Sequence, residues 1–342
     1  MQSADDPVVD VHCHVFTQQA RDLIEANYSR EQIVANEPYD LYAGEGTVET
    51  NRDMFPRIRP KMTTPSERLA DMDRMGIDVQ VLSTFVSQFS YWTDAGLGRQ
   101  LARVQNEWLA ELVAANPRRF AAIGTVPLQD SAHAVAELDH MVNDLGFKGV
   151  QISSNVAGLD LDDPRFRPFF ERAEQLGVVV VIHPNGFTEM NRFRDFFLVN
   201  VMGNPLDSTL ALTRLIYAGV LEDLPELKLC VVHGGGFLPV YHARIDHAWQ
   251  VRPECRKHIS RPPSSYLKKV HFDTMVFSPQ VLGNLIQFAG ADHVMLGTDY
   301  PFDMGEDDPV GLVDSVPGLS PEDVAAVRGR NAVRLFGLDG AT

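Results

Sequence analysis

Two histidines spaced two apart, His12 and His14, stand in the alternating run VDVHCHVF at residues 9–16. In an extended strand residues i and i+2 project from one face, so both imidazoles point the same way and Cys13 turns toward whatever covers the strand. Paired imidazoles suit Zn²⁺ or a similar borderline cation. A third histidine with an aspartate would complete the protein ligands and leave room for water. Alone, an HxH pair is more often two satisfied polar residues than a metal site. Further residues of suitable type occur in VVVVIHP (His183), VVHGGGF (His233) and VMLGTDYP (Asp299). Taken singly, His183 is a buried or capping histidine and Asp299 a turn residue before Pro301.

What must bring these residues together is a series of short β-branched runs separated by helical patterns. Eight such runs occur, at about 8–16, 78–85, 121–128, 149–154, 178–184, 227–235, 270–276 and 294–301. Segments such as SERLADMDRMG and FRPFFERAEQLG lie between them and end at glycine, as a helix stop does. Eight βα units predict a (β/α)8 TIM barrel, an α/β fold, as one domain over 1–342. The competing doubly wound sheet lacks support, because no GxGxxG or GxxxxGK[ST] follows a strand. In a barrel the C-terminal strand ends carry function, which places His12, His14, His183, His233 and Asp299 at one mouth. The long connection after the first strand, about 17–64, is rich in Asn, Pro, Arg and Glu. It is expected as an insertion on that face, a lid or substrate-binding excursion.

His233 is either a further ligand, a structural histidine in a glycine turn, or a general acid/base. The last is preferred, since metal–water chemistry needs a proton acceptor that titrates near neutrality. Gly234, Gly235 and Gly236 after it are expected to clear side chains from the strand mouth so that substrate or water reaches the backbone. As a phosphate cradle they give only a weak signal, for want of the Lys and Ser/Thr that such a loop carries. Lys148 stands at the beginning of the fourth strand, the wrong end for a bridging ligand, so a mononuclear centre is favoured.

Hydrophobic residues at 44% and charged residues at 22% describe a globular chain with a large core, and no stretch reaches the ~18 apolar residues of a membrane span. The net charge of −16 argues against nucleic acid and anionic membranes as partners. An anionic substrate therefore requires local cations. Three cysteines without CxxC spacing and an acidic N-terminal stretch, MQSADDP, fit a reducing, cytoplasmic setting without export. His133, His140, His242, His247 and His258 are expected at the surface. His271 and Asp273 on the seventh strand are either structural or oriented toward the ligands from behind.

The ordered blocks VDVHCH, QVLSTF, FSYW, NPRRFAAIGTVPLQ, LGFKGVQI, VIHP, VVHGGGF and LGTDYPF resemble the amidohydrolase superfamily in its decarboxylase branch, over about 8–338. The HxH places the chain nearer the semialdehyde decarboxylases than the aromatic-acid decarboxylases, which usually begin with Glu-x-His. The resemblance implies one zinc per chain held by His12, His14, His183 and Asp299, no organic cofactor, and a water whose deprotonation His233 assists. It implies non-oxidative loss of CO2 from a small anionic acid like a carboxylated muconate semialdehyde, or a related acid of aromatic catabolism. It also implies a homodimer, with Arg59 (rivals Arg57 and Lys61) and Arg244 on substrate carboxylates, Arg244 reaching across the interface. Phe302, Phe89 and Trp92 would line the pocket or pack the core. Asn185 departs from the pattern: the semialdehyde decarboxylases carry tryptophan there, so HPNGF is expected to alter the substrate. A hydrolase or hydratase acting on a lactone or unsaturated dicarboxylate with the same centre is the alternative.

Overall fold

The computed structural model describes residues 6–37, 41, 43–185 and 190–338. Eight barrel strands follow in order among the described residues: β1 (Val9–Val15), β2 (Val79–Thr84), β3 (Phe120–Ala122 with Gly124–Thr125), β4 (Gly149–Ile152), β5 (Val179–Ile182), β6 (Lys228–Val231), β7 (His271–Asp273) and β8 (Val294–Met295). Each pairs in parallel with the next. The break in β3 is bridged by the Ile123 N–H, which donates to the Leu82 carbonyl at 3.0 Å. The seam closes where β8 runs on to β1: Val11 N–H donates to Leu296 O at 3.0 Å, His14 N–H to Tyr300 O at 2.8 Å, and Cys13 bridges Tyr300. The result is the expected TIM barrel.

Buried parallel strands should be short and largely apolar; β5 (VVVI) is wholly β-branched, whereas β3 (FAA, GT) and β7 (HFD) are short but not β-branched, and helices lie over the outer faces. Asp94 starts the helix Ala95–Ala115 by accepting from the Gly96 and Leu97 N–H groups, satisfying donors that a helix start leaves open. Gly76 and Gly177 end the helices Pro65–Met75 and Arg167–Leu176 at φ 69° and 65°. Between β1 and Pro65 lie the helices Gln18–Asn27, Arg30–Asn36 and Glu45–Thr63. On the last of these Met54, Ile58 and Met62, spaced at i and i+4, bury against Phe16, Phe85 and Phe302. That face draws the helix to residues at the strand ends. No helix among the described residues is long and apolar enough to cross a membrane.

The lower interior of the barrel is an apolar cluster. Val9, Val11, Val79, Val81, Ile123, Val179, Val181, Cys230, Val232 and Met295 form it, and Ala332, Phe336 and Leu338 close it. A regular period of two from Val9 and Val11 would send His12 and His14 outward. Instead the β1–β2 register slips between Asp10 and Cys13, and Cys13 joins the outer core that packs the helices. The slip turns both histidines inward. Near the start of β7, His271 stacks on His293 with ring centroids 4.8 Å apart. Burial, with repulsion from His293 second, pushes the His271 pKa down to about 4.

Candidate metal centre

The ends of β1, β5 and β8 bring His12, His14, His183 and Asp299 to one point, with all their ligand atoms within 4.8 Å of one another. All four are buried, and Asp299 is the most exposed at 8%. Asp299 Oδ1 lies 3.1 Å from His14 Nε2 and 3.4 Å from His12 Nε2, while its Oδ2 faces His233 Nε2 at 3.7 Å. The His183 ring centroid is 4.9 Å from His12, 5.0 Å from His14 and 5.0 Å from His233.

Each ring is held by its surroundings. The His12 Nδ1 sits 2.6 Å from Asp273 Oδ2, and the His183 Nδ1 sits 2.7 Å from the Pro184 carbonyl. These contacts leave the Nε2 atoms of both rings buried and without a hydrogen-bond partner. Buried nitrogens left bare in this way lose hydration without compensation unless a cation takes their lone pairs. Three imidazoles and one carboxylate are a donor set that fits a divalent metal with an open position.

The electrostatics agree with that use. Burial, with His12, His14 and His233 adding repulsion, pushes the His183 pKa well below its ordinary value. Burial also lowers His14 despite the Asp299 carboxylate beside it. Both rings are therefore neutral near pH 7, the form that ligates. For His12, burial opposes the charged form, but Asp299 and Asp273 outweigh it and raise the pKa. Burial likewise works against the Asp299 carboxylate, yet His12 and the neighbouring histidines outweigh it and hold it well below the usual carboxylate range.

Backbone geometry departs from the ordinary at two of these residues. His233 and Asp299 both take φ of 55°, a left-handed conformation uncommon for residues with a β-carbon. The glycines after His233 correct the expectation drawn from them. A β-carbon on Gly235 would meet the Phe272 ring at 2.5 Å, and one on Gly236 would meet the Pro205 carbonyl at 2.2 Å. Toward Phe272 and Pro205 the glycines admit the protein's own packing, while Gly234 and Gly236 also line a cavity with Pro239, His242 and Val276.

Behind His12 and His14 lies a buried polar network that sequence reasoning missed. Asp10 accepts from the His12 N–H at 3.0 Å and the Thr298 N–H at 3.1 Å through one oxygen. Its other oxygen accepts from Thr298 Oγ1 at 2.7 Å and Gln80 Nε2 at 2.9 Å. Arg68, on the helix Pro65–Met75, donates to Gln80 and to the His14 carbonyl and lies 4.8 Å over the Tyr300 ring. Burial, offset in part by these donors, lifts the Asp10 carboxyl to about 6. A charge inside the apolar run VVDV was the available signal.

The other candidate residues divide. Phe302 lies 5.6 Å from the His14 ring and 5.1 Å from Phe85, so it borders the centre, and Phe85 and Phe55 extend the same aromatic wall. Trp92 instead packs edge-on against Tyr28 in a satellite core, and Phe89 stacks on Tyr91 in the main core; both are packing residues. Arg59 is exposed, bonded to Gln18 and 5.1 Å over the Phe16 ring. Lys61 is committed to Asp71 at 2.7 Å, and Arg57 to its own helix at the Asp53 carbonyl. Arg244 is exposed on the helix Leu238–Val251. Asn185 is half-buried; the Gly186 and Phe187 that follow it in HPNGF lie outside the described residues. Asp273 touches the centre through His12, whereas His271 lies at the other end of β7.

Comparison with known proteins yields a family model described as amidohydrolase, matching residues 9–338. The chain is 36% identical to a 2-amino-3-carboxymuconate-6-semialdehyde decarboxylase of Dictyostelium discoideum, over 83% of this chain and 80% of the relative. It is 31% identical to a gamma-resorcylate decarboxylase of Rhizobium sp. (strain MTP-10005), over 80% and 87% respectively. Among solved structures, 5-carboxyvanillate decarboxylase of Sphingomonas paucimobilis superposes with a TM-score of 0.84 at 28% identity, covering 97% of this chain and 99% of that one.

Proposed function

The chain belongs to the amidohydrolase family, and from that premise we propose that it is a metal-dependent, non-oxidative carboxy-lyase of a small unsaturated acid. The substrate class is a carboxylated muconate semialdehyde or a related acid of aromatic catabolism. The observation that carries this reading is the meeting of His12, His14, His183 and Asp299 within 4.8 Å, with His233 facing the free oxygen of Asp299. The relatives named above are all decarboxylases, which release CO2 from a carboxylated, unsaturated carbon framework.

In this reading His12, His14, His183 and Asp299 hold one divalent ion, Zn²⁺ by preference for a site of three imidazoles and a carboxylate. Such an ion, when bound, supplies Lewis acidity and lowers the pKa of water. Loss of CO2 leaves an electron pair on carbon, which a proton must capture. His233 Nε2 sits where it can move that proton, 3.7 Å from Asp299 Oδ2 at the edge of the centre. The Phe302 and Phe85 rings offer a flat apolar wall to a conjugated substrate.

The substrate's carboxylates need cations, and Arg59 and Arg244 are the proposed ones. Arg244 shares its helix with Val240, Tyr241 and Val251, which are 69%, 60% and 56% exposed. An apolar face of that kind supports a homodimer in which Arg244 serves the partner's site. The cysteines Cys13, Cys230 and Cys255 are free, which supports a reducing, cytoplasmic setting.

The test is metal analysis followed by turnover. Protein reconstituted separately with Zn²⁺, Mn²⁺ or Fe²⁺ is incubated with carboxylated dienoates, dihydroxybenzoates and lactones while CO2 is followed. Stoichiometric metal and CO2 release are expected. Hydrolysis or hydration without CO2 would move the chain to the hydrolases, and active protein without metal would end the scheme.

A further inference from the structure

We propose that Asp273 is a positioning residue that aligns the metal ligand His12 and the turn bearing His233 together, so that one carboxylate sets both halves of the centre. The inference rests on the reading that His12 ligates a divalent ion and His233 moves the proton.

Asp273 ends β7 and is fully buried. A carboxylate so placed is tolerated only when its oxygens are satisfied, and three donors do this. Oδ2 is 2.6 Å from His12 Nδ1, and Oδ1 accepts from the Gly234 N–H at 2.8 Å and the Met275 N–H at 3.2 Å.

Each contact has a geometric consequence. An ionised carboxylate only accepts, so the proton of a neutral His12 ring must reside on Nδ1. The lone pair is then on Nε2, the buried atom without a partner that faces Asp299. At the other oxygen, the Gly234 N–H lies in the peptide plane that follows His233. Holding that N–H fixes ψ of His233 and with it the direction in which its side chain leaves the backbone. The residue needs such a hold. His233, Gly234, Gly235 and Gly236 all have positive φ, from 55° to 76°, and His233 alone among them carries a β-carbon.

An amide at this position separates the two tasks. In Asp273→Asn the carbonyl oxygen is drawn to the two backbone N–H donors, keeping the turn. The NH2 then meets His12 Nδ1 and favours a proton on Nε2, where the ion should bind. Asp273→Ala abolishes both contacts.

The experiment uses the full chain. Zn²⁺ affinity is measured by competition with a chromogenic chelator, and kcat for CO2 release is measured at saturating Zn²⁺. Both variants are expected to bind Zn²⁺ about 10–100-fold more weakly. At saturating metal Asp273→Asn keeps kcat within a few fold, while Asp273→Ala loses about tenfold or more, a split that general loosening would not produce. A third measurement needs no variant: long-range ¹H–¹⁵N imidazole spectra of the metal-free wild type, taken at a pH high enough for the His12 ring to be neutral, should show its single proton at Nδ1. Wild-type Zn²⁺ affinity in Asp273→Asn, undiminished kcat in Asp273→Ala, or His12 protonated at Nε2 in the wild type would each overturn the inference. Wild-type protein that binds no divalent ion or releases no CO2 would instead overturn the functional reading, and the imidazole spectra would still report on Asp273.

Discussion

The same strands build two interiors of opposite character. Below, Val9, Val79, Val179 and their neighbours make an apolar plug sealed by Phe336; a turn of chain further on, His12, His14, His183 and Asp299 crowd polar nitrogens and a carboxylate into equal burial. The lower layer is stabilised by burial of apolar surface, about 1.5–3 kcal/mol for each large side chain. The upper layer carries bare nitrogens and two left-handed residues, arrangements that cost stability and persist because the rest of the barrel holds them. The contrast assigns stability to one end and chemistry to the other, as the barrel plan requires.

The sharpest way to break that division is at the upper layer. Asp299→Ala should abolish metal binding and reduce CO2 release to background while the chain stays folded. His233→Asn should keep the metal and lower turnover by roughly 10²–10⁴. Metal analysis beside kinetics checks both, and loss of metal from the His233 variant would make it a ligand. At the lower layer Phe336→Ala should cost about 3–5 kcal/mol in denaturant unfolding, by the usual cost of emptying a buried aromatic site, with kcat per folded molecule unchanged. A fall in kcat there would show the two layers to be coupled.

The smallest expected effect is a pH dependence of the lower end. The folded protein holds His271 neutral down to about 4, whereas an unfolded chain protonates it near 6.5. Its contribution is therefore whole above pH 6.5 and is lost as pH falls from about 6.5 toward 4. The loss is at most about 3 kcal/mol, less for a half-buried ring. His271→Gln should flatten that limb of the stability–pH curve relative to wild type. An unchanged limb would show that the acid sensitivity arises elsewhere.

The barrel and the meeting of His12, His14, His183 and Asp299 are legible because both are written locally. A buried parallel strand is a short β-branched run, and a polar residue at its end stands out. What was illegible depends on partners distant in the chain. Phe85 reads as an ordinary strand residue until Phe302 and Phe55 meet it. Trp92 reads as a pocket wall until Tyr28 covers it. The glycines after His233 suggest open space, and only Phe272 and Pro205, from other elements, show that the space on their side is taken. Asp10 gave a signal, a charge in an apolar run, but its partners on β2, β8 and a helix could not be named from spacing.

The slip in β1 between Asp10 and Cys13 has a meaning for anyone who would move this site to another scaffold. Val11 and His12 are adjacent, yet both belong to the inside of the barrel. A designer who grafted HCH onto a strand of strict alternation would aim the imidazoles either at the core with the wrong valines beneath them, or at the helices. The transferable unit is therefore the pair plus the phase shift that precedes it. Removing one residue from that stretch should restore strict alternation from Val9 onward, with both imidazoles still facing inward and the valine pair of the plug no longer intact beneath them.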